Sequence, residues 1–370
     1  MGALSGGLTG HAVHAQVVDE DTVFEDVVII GETPETVSEL IEPSPAPLRV
    51  SPTIADEAGP ALFVDALSAY EGGDTVRALL LAKAAGADGD ARAQLLAGHI
   101  LMRGETGLVD DFDAVSWLGR AAEAGEVDAM LALGELAVGS RGGLGPSDAI
   151  RYYKQAADTG DTRGMRALST LAADGLGVKQ DSEVAQAWET RAADAGDLVA
   201  MRRRGEALVD SDPQAAFDLL AKAAGRGDAP SAYLASILLS TNYALRPDER
   251  RAAALMRQAA EAGLPEAQAD YGLLLYQGAG VERDVEGAAD YFRTAAKAGD
   301  KEGQFLWAFT LAKGEGVPQD FEEAYYWLLK SGESGVADYD ASRAELRERL
   351  EGNVDPRVLA TARARLAAER

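Results

Sequence analysis

Hydrophobic positions in this chain recur with a helical period inside a unit that is clearest between Gly299 and Gly335. Its first half carries an apolar stripe with small residues beside it, and its second half repeats apolar or small residues at steps of three and four. Neither half has enough apolar surface to be stable alone, so the pattern predicts two helices that stack on copies of themselves. The stripes consist of Gly303, Phe305, Leu306, Ala308, Phe309 and Leu311, then Ala324, Trp327, Leu328 and Ser331.

Copies of this unit run through most of the chain, because a glycine closes the second half at nearly constant spacing. An alanine stands eleven residues before each closing glycine, a large apolar residue eight before, a small residue four before and another small residue nine after. These columns predict a tandem α/α repeat of about 36 residues, in which small columns allow close helix approach and the large column fills the gap. The eight closing glycines are Gly89, Gly125, Gly160, Gly196, Gly227, Gly263, Gly299 and Gly335.

The turn between the two halves carries a second recurring pattern, read as Gly314-Glu315-Gly316-Val317-Pro318-Gln319-Asp320 and repeated from Gly175 and from Gly278. Together with the A-x-x-W/Y-x-x-x-A-A spacing of the second half, it resembles the Sel-one-like repeat family, a relative of the tetratricopeptide repeat. The resemblance covers roughly residues 55–335. It implies an all-α fold, a right-handed α/α solenoid superhelix of about eight helix-turn-helix repeats, that acts as a protein-binding scaffold.

Composition divides the chain into four predicted regions. Residues 1–15 are a possible remnant of a signal peptide, and residues 16–54 form an acidic and proline-rich arm that we expect to be disordered. Residues 55–335 form the solenoid, and residues 336–370 supply capping helices with polar faces that shield its open end.

Two interpretations of residues 1–15 remain open. Val13-His14-Ala15 resembles a small-x-small cleavage site, but no Lys or Arg precedes Arg49, so the positive region of a signal peptide is missing. Either a secretory signal is cleaved near Ala15, which favours a periplasmic or secreted location, or a disordered terminus begins a cytoplasmic protein.

Within the arm, Val27-Val28-Ile29-Ile30 is a short apolar run in a stretch, residues 16–42, that holds nine acidic residues and no basic one. One interpretation is a transient or loosely docked extended segment. The other is a short linear motif that adds a strand to a partner or docks on the solenoid itself.

Net charge narrows the choice of partners. The chain has 370 residues and a formal net charge of −26, which disfavours binding to nucleic acid and to anionic membranes. It contains no cysteine, which excludes disulfides, zinc-thiolate sites and thiol catalysis. No apolar run is long enough for a membrane span, so we expect no membrane insertion.

Sequence motifs give no support for catalysis. The three histidines are His11, His14 and His99, and we expect His99 at the surface of a first helix. Lys330-Ser331-Gly332 resembles the K-T-G box of β-lactamases, but no S-x-x-K accompanies it and it falls on a repeat column, so we interpret it as structural. We therefore predict no catalytic residue, no cofactor and no metal. The alternative is a hydrolase of the β-lactam or peptidoglycan type built on the same repeat scaffold.

Two features are candidates for a partner-binding surface. Arg202-Arg203-Arg204 is the one triple-basic run, and guanidinium groups bind carboxylates and phosphates, although Arg204 can equally extend past a looser packing contact. The column six residues after each glycine includes aromatic and arginine side chains that would line a concave groove, with partial core as the alternative. The candidate partner-binding residues are Arg166, Arg202, Arg203, Tyr233, Phe305 and Phe309.

From these observations we predict a non-enzymatic scaffold or adaptor. It would bind a partner protein or peptide in the concave groove and act as a bacterial regulatory or cell-envelope protein. The sequence assigns neither the partner's identity nor the oligomeric state.

Overall fold

A computed structural model describes residues 61–332 and 337–369. The predictions for the signal remnant, the acidic arm and Val27–Ile30 fall on residues outside this described part, as does the closing Gly335. Between Ala61 and Glu369, the described residues form eighteen α-helices and one 3-10 turn, without a strand. The all-α fold of repeated helix pairs is thus confirmed.

The helices follow one another with short connections. The first nine are α1 Ala61–Glu71, α2 Thr75–Ala87, α3 Ala91–Arg103, α4 Asp111–Glu123, α5 Val127–Val138, α6 Pro146–Asp158, α7 Thr162–Asp174, α8 Ser182–Asp194 and α9 Leu198–Leu208. The others are α10 Pro213–Ala224, α11 Ala229–Thr241, α12 Glu249–Glu261, α13 Pro265–Gln277, α14 Val285–Ala298, α15 Lys301–Lys313, α16 Phe321–Ser331, α17 Ala337–Asn353 and α18 Pro356–Ala368, with the 3-10 turn at Tyr243–Leu245. None of the described helices is long and apolar enough to cross a membrane.

Two compact units make up the chain. The N-terminal unit ends at Arg204 and the C-terminal unit begins at Gly205. Within each unit, the two helices of a pair pack on each other, and the second helix of one pair packs on the first helix of the next. In the N-terminal unit the second helices are α2, α4, α6 and α8, and in the C-terminal unit α17 and α18 follow the last pair.

Helix ends are set by two residue types that recur with the repeat. Aspartates begin most helices: the side chain of Asp181, for example, accepts hydrogen bonds from the backbone N–H groups of Glu183 and Val184. The closing glycines end the second helices in a left-handed conformation, with φ between 93° and 98° at all seven described positions. L-residues rarely adopt this conformation, which explains why glycine recurs there.

The small columns lie in the helix interfaces, as expected. The alanines eleven residues before the closing glycines and the residues four before are all buried. The glycines nine after are so close to the second helix that an added Cβ would lie 2.3–2.8 Å from a side chain. These contacts are Gly98 with Leu118, Gly134 with Tyr153, Gly205 with Leu220, and Gly272 with Phe292.

The same contacts correct the prediction for the large column. The residues that fill the gap stand seven before the closing glycine, whereas the predicted column at eight before is half-buried. Trp117 of that column lies against the preceding second helix instead, since a Cβ on Gly86 would be 3.0 Å from its Cζ3 atom. Trp117 therefore packs between second helices of successive pairs, whereas Tyr291 of the same column packs edge to face on Tyr271 of its own pair.

A second set of glycines stacks the turns on one another. A Cβ at Gly142, Gly177, Gly280 or Gly316 would come within 2.2–2.7 Å of a backbone oxygen at the start of the preceding second helix. All four have positive φ, between 61° and 72°. The recurring turn motif is thus a place where backbone packs directly on backbone, which only glycine permits.

Candidate interaction surfaces

Carboxylates offset the charge of the arginines in the predicted basic cluster. The Arg166 Nε atom lies 3.1 Å from Asp197 Oδ2. Asp197 is itself fixed, because it accepts a hydrogen bond from Thr162 Oγ1 and caps α9 through the backbone N–H of Ala200. Arg166 is therefore part of an internal ion pair that joins α7 to the start of α9.

The run Arg202–Arg204 is likewise accompanied by acidic groups. Arg202 is buried, Arg203 is exposed, and Arg204 Nη1 lies 3.8 Å from Asp194 Oδ1. The pKa of Glu189 is raised chiefly by burial, and the charge of Arg203 acts against that rise. Two of the three arginines thus have carboxylates nearby, which weakens the electrostatic argument for an acidic partner at this place.

The predicted aromatic residues belong to the core of the C-terminal unit. Tyr233 is 1%, Phe305 0% and Phe309 4% exposed. Tyr233 also donates a hydrogen bond from its hydroxyl to Asp270 Oδ2 at 2.9 Å, and burial raises its pKa well above the usual value. Rings with so little exposed surface cannot contact a partner while the helices stay packed. We therefore correct their assignment from a groove lining to the packing alternative.

The C-terminal unit also contains a partly buried titratable network that joins α13, the end of α15 and the turn after α15. Lys313 Nζ donates to the hydroxyl of Tyr276, Tyr276 donates to Glu315, and Lys313 pairs with Glu315 at 3.0 Å. Burial raises the pKa of Tyr276, and the Glu315 hydrogen bond raises it further. Burial acts to raise the pKa of Glu315, but hydrogen bonds from Tyr276 and Lys313 outweigh it and the pKa is lowered. The network links α13 to α15 and keeps the Tyr276 hydroxyl protonated. A protonated hydroxyl is a poor base and a poor nucleophile.

The motif that resembles a K-T-G box is also tied into packing. Lys330 Nζ donates to Tyr326 Oη at 2.8 Å and pairs with Glu369 Oε2 at 2.9 Å. Ser331 is buried and donates to the carbonyl oxygen of Leu328. These contacts join α16 to α18. Within the described chain, no group of three His, Asp or Glu side chains could hold a metal ion.

His99 departs from its predicted surface position. It is half-buried on α3, and its Nε2 atom is buried without a hydrogen-bond partner. Burial, followed by the charge of Arg103, lowers its pKa to about 4. The imidazole is therefore a neutral packing group at pH 7 rather than a ligand.

Exposed apolar side chains are confined to one unit. Every large hydrophobic residue that is exposed in the described chain lies in the N-terminal unit. Five of them lie on α2, on the turn between α3 and α4 and at the start of α4, and we call these five the exposed apolar face. They are Val76 (57% exposed), Leu80 (67%), Leu108 (79%), Val109 (59%) and Phe112 (75%).

Printed contacts hold the parts of this face together. Thr75 at the start of α2 donates from Oγ1 to the backbone oxygen of Glu105 at 3.0 Å. About two turns further along, Lys83 of α2 pairs with Asp113 of α4. The stretch of α2 from Thr75 to Lys83 therefore lies beside the turn that carries Leu108 and beside the start of α4, where Phe112 precedes Asp113.

The sequence contained a signal for this face, but the analysis of the core-facing columns did not use it. Leu80 stands nine residues before its closing glycine, on a column that is polar or small in most other repeats. The residues at that position are Ser116, Arg151, Ala187, Asp218, Ala254, Asp290 and Tyr326. An aliphatic residue on a column that is mostly polar or small marks a surface that differs from the rest of the repeat.

Tandem helix pairs, stacked through small residues and turn glycines, define an α/α solenoid, a class whose repeats offer an extended surface to other proteins. Comparison with known families places the chain within this class: it belongs to the Sel1 repeat family. The family pattern matches residues 91–126, 127–161, 162–197, 200–228, 232–264, 265–300 and 301–336. Members of this family generally act as protein-interaction scaffolds and are typically not catalytic.

One solved structure has the same fold, and two others are less similar. A Sel1 repeat protein from Oxalobacter formigenes is 23% identical over 82% of this chain and 98% of its own, with a TM-score of 0.60. The Escherichia coli protective antigen c5321 is 22% identical over 83% of each chain, with a TM-score of 0.41. The immunity protein Pa5087 from Pseudomonas aeruginosa is 17% identical over 62% of this chain and 83% of its own, with a TM-score of 0.33. No curated protein matches the chain.

Proposed function

We propose that this protein is a non-enzymatic adaptor that binds a partner protein or peptide through the exposed apolar face of its N-terminal unit. The observation that carries the proposal is the concentration of exposed Leu, Val and Phe side chains on α2, on the turn between α3 and α4, and at the start of α4. This surface replaces the inner column as the candidate site, because the residues predicted there are buried or paired.

The energetics of such a face suit an interface. Complete burial of a Val, Leu or Phe side chain stabilises by about 1.5–3 kcal/mol. The five residues of the face are each more than half exposed, so much of this stabilisation can still be gained when a partner covers them. Interfaces place apolar anchors at the centre and polar groups at the rim. Here Arg77 and Lys83 border the apolar residues on α2 and would supply part of that rim.

The chemistry of the partner follows from the same residues. It should present apolar side chains rather than an acidic segment alone, because Arg166 is paired with Asp197 and Glu189 partly offsets the charge of Arg203. Tyr276 and Glu315 bind each other and Lys313, and His99 is a neutral packing group, so these perturbed groups lend nothing to the hydrolase alternative. A bacterial, periplasmic or secreted setting remains a proposal that rests on residues 1–15 and would be tested by cell fractionation.

A capture experiment with matched variants tests the proposal. The variant Leu80→Asp with Phe112→Asp places two carboxylates on the face. The control Ser147→Asp with Ala187→Asp places two carboxylates on the same columns of α6 and α8, at exposed positions. Both should fold, which circular dichroism would verify.

Immobilised wild-type chain, face variant and control variant would each be exposed to the same extract, and recovered proteins quantified by mass spectrometry. We expect a partner that the wild type and the control recover equally and the face variant recovers at least about tenfold less, since losing one anchor typically costs 1–2 kcal/mol or more. Equal recovery by all three chains would show that the face does not bind the partner.

A further inference from the structure

We propose that the exposed apolar face binds a cationic amphipathic helix, a segment with apolar side chains along one side and Lys or Arg side chains beside them. The inference rests on the proposed function, because it names the class of partner for the same surface. Three features of the face support it: the register of α2 on its neighbour, the carboxylates at its edge, and the balance of ion pairs around it.

Helix α2 lies beside residues 105–113 in a constant register. The two contacts that join them each link residues 30 apart in the sequence. The same register places Leu80 across from Asp110, which is exposed. Val109 precedes Asp110 and Phe112 follows two residues later, and both are exposed apolar residues of the face. A carboxylate therefore lies among the apolar side chains of the face rather than outside them.

The apolar side chains have a spacing that suits a helix. Val76 and Leu80 are four residues apart on α2, so they lie on the same side of that helix, about 6 Å from each other. Phe112 lies beside them at the start of α4. Two neighbouring helices that both expose apolar side chains form the type of groove that receives a third, amphipathic helix. An incoming helix with apolar residues at steps of three and four would match this spacing.

Exposed carboxylates border the groove. Asp74 and Asp110 are the N-caps of α2 and α4, and they accept hydrogen bonds from the backbone N–H groups of Arg77 and Asp113. Neither carboxylate forms an ion pair with another described residue. Glu71, at the end of α1, is exposed as well. These three side chains are therefore available to the cations of a partner.

Other charged side chains around the turn are already paired with one another. The pairs are Asp111 with Arg141, Asp113 with Lys83, and Glu105 with Arg103. Arg77 is then the exposed cation of α2 that faces the three exposed carboxylates, so negative charge is in excess at the groove. A segment that brings Lys or Arg beside its apolar side chains is attracted here, and an acidic segment is repelled.

The same excess of charge argues against a second copy of the chain as the occupant. Another copy has a formal net charge of −26 and carries the same carboxylates around its own face. Two such faces would meet with like charges at their edges, which opposes association. A separate, cationic partner meets no such repulsion.

Synthetic peptides provide the test. A helix-forming peptide with leucines along one side and lysines along the other would be titrated into the full-length chain and followed by calorimetry. Two control peptides have the same length. One has glutamate in place of every lysine, and the other keeps the composition of the lysine peptide in an order that breaks the apolar stripe.

A pair of matched variants isolates the carboxylates. The rim variant is Asp74→Asn with Asp110→Asn, which removes two charges while asparagine keeps an acceptor for each N-cap. Its control is Asp248→Asn with Asp284→Asn, the same change at the exposed N-caps of α12 and α14 in the C-terminal unit. Both variants raise the net charge by the same amount, and circular dichroism would verify that both fold.

We expect the lysine peptide to bind the wild type and the control equally and the rim variant at least about threefold more weakly, because two exposed charge pairs are lost. Added salt should reduce this difference. The face variant Leu80→Asp with Phe112→Asp should bind the peptide at least about tenfold more weakly, although its added negative charge would strengthen a purely Coulombic attraction. Both control peptides should bind the wild type at least about tenfold more weakly than the lysine peptide.

Several outcomes would overturn the proposal. One is the absence of binding by the lysine peptide, and another is equal binding by the lysine and glutamate peptides or by the rim variant and its control. Equal binding of the lysine peptide to the wild type and the face variant would show attraction to the acidic chain as a whole. Sedimentation that finds the wild type dimeric and the face variant monomeric would identify a second copy as the occupant.

Failure here is separable from failure of the proposed function. If the rim variant captures the partner as well as the wild type does and the face variant does not, the face binds its partner through apolar contacts without the carboxylates, and the proposed function stands. If the face variant and the wild type recover every protein equally, the proposed function itself fails.

Discussion

Replacing the turn glycine Gly280 with alanine should destabilise the C-terminal unit far more than a neighbouring glycine replacement. An added Cβ at Gly280 would lie 2.2 Å from the backbone oxygen of Glu249 and 2.7 Å from its carbonyl carbon. Real Cβ atoms do not approach backbone this closely, so the turn must move away from the start of α12. The φ of 68° adds strain for any L-residue.

The structure permits a rough magnitude. A left-handed conformation costs a non-glycine residue about 1–2 kcal/mol. Separating packed backbone adds an overpacking cost of about 1–3 kcal/mol, because closely packed elements relax only partly. We therefore expect Gly280→Ala to lower the free energy of unfolding by about 3–4 kcal/mol, a fall in Tm of about 10 °C for a unit of this size.

Gly278→Ala is the matched control in the same turn. Gly278 has a similar φ of 76°, but its nearest neighbour to an added Cβ is the Arg283 Cβ at 3.2 Å, so the change adds conformational strain with a mild contact. Urea unfolding would be followed by fluorescence in a Trp117→Phe, Trp188→Phe background, where Trp307 and Trp327 are the remaining tryptophans and report on this unit. If Gly280→Ala were no more destabilising than Gly278→Ala, within about 0.5 kcal/mol, backbone stacking of the turns would be refuted as a source of stability.

Three further predictions test other contacts. Glu302 and Arg343 form an ion pair at 3.1 Å with side chains 4% and 3% exposed. Glu302→Leu should therefore lower the free energy of unfolding by about 3–5 kcal/mol, and adding Arg343→Met should recover much of that stability. A double variant as unstable as the single one in urea unfolding would contradict this. The pKa of His99 is about 4 against an ordinary 6.5, so the unfolded chain binds the proton first. Stability should therefore fall by up to about 3 kcal/mol as pH drops from 6.5 to 4, and His99→Gln should remove that part of the pH dependence in urea unfolding; an unchanged profile would exclude the burial effect. An added Cβ at Gly134 would lie 2.3 Å from the Tyr153 ring. Gly134→Ala should therefore lower the free energy of unfolding by about 1–3 kcal/mol, and adding Tyr153→Leu should restore part of it. If thermal unfolding shows no recovery in the double variant, the ring is not the obstacle.

The sequence by itself determined the repeat, its helix boundaries and its small columns. Asp181 and the closing glycines act on backbone groups within a few residues, so their roles can be predicted without knowing the neighbours. The alanine columns follow from helical periodicity, and all of them are buried as that periodicity requires. These features are local, and local chemistry is sufficient to predict them.

Only the tertiary structure decided which large residue fills each helix interface. Trp117 and Leu118 are adjacent in sequence, yet Leu118 lies against Gly98 and Trp117 reaches the preceding second helix. Side chains of consecutive residues point about 100° apart around a helix axis. Which of the two faces the partner helix therefore depends on the angle at which the helices cross, and the sequence period does not determine that angle.

The candidate site depended on tertiary structure for the same reason. Arg166 is neutralised by Asp197, which lies 31 residues further along the chain, and Phe305 is buried by helices from neighbouring repeats. Ion pairing and burial of this kind are set by contacts between repeats. Residue type could therefore indicate these positions as candidates, but it could not show that their side chains are already paired or buried inside the protein. By contrast, Leu80 and Phe112 are apolar in the sequence, and only the packing of α2 and α4 leaves them exposed.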